Sequence, residues 1–162
     1  MTLQSALSAV VALLLTLCPT LAMAQLAIPY GLSISVDDAK KAAAPAIAEA
    51  KKNNWTMAVA IVDTAGNLVY FEKMDGTQTA SANVAIEKAR TAVLFKRPSK
   101  AFQDQVAAGG DGLRILGLPG VTPVEGGIPL VAGGKIVGAI GVSGGMSPQD
   151  SQCAAAGAAV IK

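Results

Sequence analysis

Lys88, Arg90 and Thr91 fall close together on one predicted helix and join two cations to a hydroxyl. Such a set suits a carboxylate, whose oxygens accept charge-assisted hydrogen bonds. A plainer reading competes with it. Both cations are then solvated, Glu87 pairs with Arg90 along the helix, and Thr91 packs inward. Two glycine pairs, Gly126–Gly127 and Gly144–Gly145, flank the terminal strand candidates. Backbone N–H groups in such turns can cradle an anion, and Ser147 at the start of the last helix adds the positive end of a helix dipole. Neither pair fits a P-loop or a GxGxxG fingerprint. Tight turns and close subunit contact are the competing reasons for glycine there. Asp63, Glu72, Asp75 and Glu125 lie near strand ends. Asp75 and Glu125 would form an acid–base pair if their loops converge, but Asp63 and Asp75 are also ordinary turn residues.

The chain of 162 residues contains no histidine. That excludes Ser-His-Asp and Cys-His nucleophile pairs, HExxH zinc sites and His-ligated haem. Tyr70, Met74, Met146 and Cys153 remain as iron-ligand types. Each has an ordinary structural role available: strand core for Tyr70, core or rim for the methionines, a buried inert thiol for Cys153. No metal ligand is assigned, and no catalytic residue. A net charge of +2 and an aromatic content of 4% offer nucleic acid neither a basic patch nor a stacking platform.

The elements that must position these residues follow a leader. Ala6 to Leu21 is almost wholly apolar and precedes Ala22-Met23-Ala24, so residues 1–24 read as a secretory signal peptide. The run is too short to span a bilayer, so no stable membrane span is expected after cleavage. The domain is then 25–162, periplasmic or secreted, with Cys153 as its one cysteine. Ser35 caps a helix over 36–53, which Pro45 should kink or interrupt. Strands at 56–63 and 68–73 enclose the turn Asp63–Asn67 and form a hairpin. Helix 79–95 keeps Ala82, Ala85, Ala89 and Ala92 on one small face, so something can pack very close there. Pro98 ends it, and Ser99 caps a short helix over 100–107. The stretch 109–120 is a glycine-rich loop anchored by Leu113, Ile115 and Leu116. Strand candidates follow at 121–124, 128–132 and 135–143, with a tight turn at Gly133-Gly134. Ser147-Pro148 opens the last helix. Hairpins dominate and no clean βαβ crossover occurs, which defines an α+β domain with an antiparallel sheet.

The segments VAIVDTAGNLVYFEKMDG, AIEKARTA and EGGIPLVAGGKIVGAIGVSGGMSPQD, in that order, resemble the GlcG/HbpS-like family over nearly all of 25–162. The resemblance implies a profilin-like fold, with a central antiparallel sheet of about five strands and flanking helices. It also implies a homo-oligomer and binding of haem or a related tetrapyrrole, which some members degrade. A related domain is appended to some cobalamin adenosyltransferases. Thr91 matches the threonine of the family's K-A-x-T-A pattern, which makes it a candidate contact to metal or bound water. The expectation is therefore an exported protein that binds a small molecule, haem first. Its pocket would lie between helix 79–95 and the glycine-rich strands, anchored by Lys88, Arg90 and Thr91. Two alternatives stand beside it: an enzyme acting on a small organic acid or on haem, and an oligomeric accessory protein without ligand. With no histidine, any haem iron would rely on a weak or unusual ligand, which favours reversible binding over redox catalysis.

Overall fold

The computed structural model describes residues 28–162. The expected signal peptide lies outside them. Helix α1 (Val36–Lys52) begins at Ser35, whose Oγ accepts the Asp38 N–H at 3.1 Å. Pro45 does not interrupt it, contrary to expectation. Ala39, Ala42, Ala43, Ala46, Ile47 and Ala50 are all buried along one face. Packing of that face outweighs the hydrogen bond that Pro45 cannot donate. Asn53 ends the helix, and Asn54 turns the chain with a left-handed φ of 57°.

Strands β1 (Ala58–Val62) and β2 (Leu68–Lys73) form the expected hairpin. Asp63 Oδ1 accepts the N–H groups of Ala65 and Asn67 and so holds the turn closed. Helix α2 (Ser81–Leu94) and helix α3 (Lys100–Ala107) come next, followed by a 3-10 segment, Gly110–Gly117. Strands β3 (Gly127–Ala132) and β4 (Lys135–Ser143) are joined at Gly133-Gly134, both with positive φ, as a tight hairpin requires. Helix α4 (Ser147–Ala158) closes the fold.

The sheet is wholly antiparallel in the order β2-β1-β4-β3. Four strands form where about five were expected, because residues 121–124 stay irregular. Pro129 sits on edge strand β3, where a missing N–H does least harm. Every residue of the central strand β1 is buried, so the sheet is covered on both faces. Val59, Ile61, Ile140 and Val142 face α1 and α4. Ala58, Ala60, Val62 and Ala139 face the alanines of α2.

Candidate functional site

The small face of α2 meets the sheet almost backbone to backbone. A Cβ on Gly141 would strike the carbonyl of Ala85, and one on Gly127 would strike that of Lys88. The gap expected between this helix and the glycine-rich strands is therefore closed. Glycine at these positions serves close approach.

The seven residues singled out in the sequence separate into three groups. Lys88 is 1% exposed and reaches across to α4, where its Nζ donates to Asp150 Oδ2 at 2.6 Å and to the Val142 carbonyl at 3.1 Å. Gly145 donates its N–H to the other Asp150 oxygen at 3.0 Å, and Gly144 adds a second backbone donor. Gly126 lies against the Lys88 ammonium. The glycine turn does cradle an anion, and that anion is the chain's own Asp150. Burial pushes the Asp150 carboxyl up, while Lys88 and the two backbone N–H groups pull it down.

Arg90 points elsewhere. Its Nε donates to the Gly66 carbonyl at 3.0 Å and its Nη1 to Glu87 at 2.7 Å. Thr91 is fully buried and its Oγ1 accepts the Thr122 N–H at 2.8 Å, which ties down the loop before β3. Lys88, Arg90 and Thr91 thus leave α2 in different directions.

Other expectations change in detail. Ser99 stands at the N-cap of α3 as expected, but its hydroxyl does not bond the helix; it donates to the Val124 carbonyl and accepts the Gly127 N–H. The cap of α4 is Met146, and Gln149 Oε1 accepts the Met146 N–H at 2.9 Å. Leu113, Ile115 and Leu116 do not anchor the glycine-rich stretch, which buries no residue. Asp75 and Glu125 follow β2 and precede β3, the two edge strands, with β1 and β4 between them. At ordinary strand spacing that is about 14 Å, too far for an acid–base pair. The Glu125 N–H is held by Gln103.

Among the iron-ligand types, Tyr70 donates its hydroxyl to Glu72 and Met74 Sδ accepts the Met57 N–H. Cys153 is buried beneath α1, and desolvation pushes its thiol up to about 11. Among the described residues no group of three or more His, Cys, Asp or Glu side chains is placed to hold a metal. At the opposite end of the sheet from Asp150, a groove of about 440 Å³ opens between the start of α1, β4 and the C-terminus. Leu32, Val137, Val160 and Ile161 line it together with Ser33, Ser35, Asp38, Lys41 and Lys162. Lys41 is held by Asp38 at 2.8 Å. No helix among the described residues is long and apolar enough to cross a membrane.

This is an antiparallel α+β domain with helices on both faces of its sheet and a groove of mixed polar and apolar lining that holds the Lys41–Asp38 pair and Lys162. It belongs to the HbpS-like family, described as haem-degrading, whose model matches residues 34–159. GlcG of Escherichia coli K12 is 40% identical over 95 residues, which cover 59% of this chain and 69% of that protein. A double mutant of HbpS from Streptomyces reticuli superposes with a TM-score of 0.74 at 33% identity, covering 82% of this chain and 89% of that one. PduOC, solved as a complex with haem, gives a TM-score of 0.72 at 28% identity, covering 81% and 96%.

Proposed function

We propose that this protein is an exported haem-binding protein that holds its ligand reversibly. The observation that carries the reading is the family match over 34–159, with a haem complex among its structural neighbours. The groove beside α1 supports it. Its volume of about 440 Å³ lies in the usual range for small-molecule sites. Leu32, Val137, Val160 and Ile161 suit the faces of a macrocycle, and Lys162 suits a propionate, while Lys41 is already paired with Asp38. Bound haem would supply iron and its redox chemistry. Tyr70, Met74 and Cys153 are already committed within the fold, and exposed Met146, at the start of α4, lies at the other end of the sheet from the groove, so the protein's contribution at the groove is to enclose the macrocycle and hold its carboxylates.

Titration of the purified protein with hemin tests this. A saturable shift of the Soret band is expected, weakened several-fold by Lys162→Glu and by Val137→Asp. A spectrum that is only the sum of free hemin and protein would refute it. The homo-oligomer expected from the family is part of the same proposal. Leu113, Leu116 and Leu118 are exposed apolar side chains within six residues of one another, and copies would meet there.

A further inference from the structure

The last turn of α1 and the end of β2 border a hollow of about 390 Å³. Lys51, Glu72, Lys73, Met74 and Asp75 line it. Two cations and two carboxylates thus share one space. None of the four forms an ion pair among the described residues. Elsewhere on the surface, opposite charges that neighbour one another do meet. Lys41 reaches Asp38 at 2.8 Å, and Arg90 reaches Glu87 at 2.7 Å.

Glu72 is the fixed point of the set. Side chains alternate along a strand, so Glu72 shares its side of the sheet with Tyr70 and Met74, both packed against the apolar layer beneath α1. Glu72 is half-buried, and its Oε2 accepts the Tyr70 hydroxyl at 3.0 Å. A carboxylate held by a neutral donor, with no cation on it, is an oriented acceptor awaiting a charged N–H group. Lys51 enters the lining from the last turn of α1 and is exposed. Lys73 and Asp75, also exposed, repeat the two signs. Met74 is half-buried and adds a flexible apolar surface.

We infer that this hollow is a binding site for a free amino acid with an apolar side chain. The ligand's ammonium donates to Glu72, its carboxylate accepts from Lys51, and its side chain lies on Met74. A ligand with a single charge answers only half of the lining and meets a like charge in the other half. The volume is in the usual range for small-molecule sites. The hollow lies at the other end of the sheet from the groove. Strand β4 leaves the groove at Val137 and ends at Ser143, whose partner Ala58 pairs in turn with Lys73. The site therefore does not depend on the haem reading.

Amide NMR of the purified protein, titrated with L-leucine at constant ionic strength, tests the site. Saturable shifts centred on residues 51 and 72–75 are expected. 4-Methylpentanoate is leucine without the ammonium, and 3-methylbutylamine is leucine without the carboxylate. Each should bind about tenfold more weakly than leucine, the worth of one charge-assisted hydrogen bond. Glycine, with no side chain to lay on Met74, should bind several-fold more weakly. Glu72→Gln should weaken leucine about tenfold, and Lys51→Gln about threefold, as suits an exposed ion pair. Lys51→Gln carries the test if Glu72→Gln does not fold. Absence of saturable shifts, equal binding of glycine or of either single-charge analogue, or unchanged affinity in the variants would overturn the proposal. A blank hemin titration leaves each of these outcomes untouched.

Discussion

Lys88 and Asp150 are each intolerable without the other. Both are almost fully enclosed, and their carboxylate and ammonium atoms are consumed by one another and by the backbone of 142–145. Removing one partner strands a buried charge, at a cost of about 3–5 kcal/mol. Lys88→Met should show that loss in urea denaturation. The double variant Lys88→Met, Asp150→Leu should recover most of it, since an apolar pair of similar volume leaves nothing uncompensated. Lys88 was legible as a cation on α2. Its burial was signalled by its spacing from Ala85 and Ala92, and the partner was hidden because Asp150 reads in the sequence as a helix-start residue. Cys153 gives a second prediction at this scale. Its thiol is raised from 9.0 to about 11 by burial, so the folded state favours the protonated form. The stability this contributes is complete below 9.0 and is lost as pH rises through about 11. A thiol reagent at pH 8 should leave Cys153 unlabelled in the native protein and label it promptly in urea, as peptide mapping would show.

Helix α2 lies so near the sheet because both surfaces are made of small residues. Ala85, Ala89 and Ala92 meet Ala58, Ala60 and Gly141. Adding a methyl at Gly141 forces the backbones apart. Gly141→Ala should cost about 1–3 kcal/mol by overpacking, and a lowered melting temperature would show it. Helix α1 carries the opposite opportunity. Pro45 in its interior leaves one helical hydrogen bond unmade. Pro45→Ala should raise stability by about 1–3 kcal/mol, seen as a higher urea midpoint. The alanine stripe was readable in the sequence as a close-packing face. What it packs against was not, because pairing in space joins residues 58–60, 85–92 and 141 across long sequence distances. The missing strand at 121–124 has the same cause. Its apolar residues suit a strand, but Thr91 and Ser99 take the backbone groups of Thr122 and Val124 that a ladder would use.

At the scale of the molecule, the order of elements and the sheet's antiparallel character followed from the hairpin signals at 63–67 and 133–134. The site did not follow, since a constellation near in sequence on one helix points three ways in space. The exposed leucines of 113–118 give the whole-molecule prediction. If they meet a second copy, Leu116→Asp should reduce the mass measured by light scattering to that of a smaller assembly, with the circular dichroism spectrum unchanged.

The bridge between Lys88 and Asp150 also orders events in time. Lys88 belongs to α2 and Asp150 to α4, 62 residues further along the chain. Until α4 docks, α2 cannot settle on β4 without enclosing a bare ammonium. Docking of α4 both neutralises that charge and seals the apolar layer over β1 and β4. The ion pair thus couples the docking of α2 to the docking of α4.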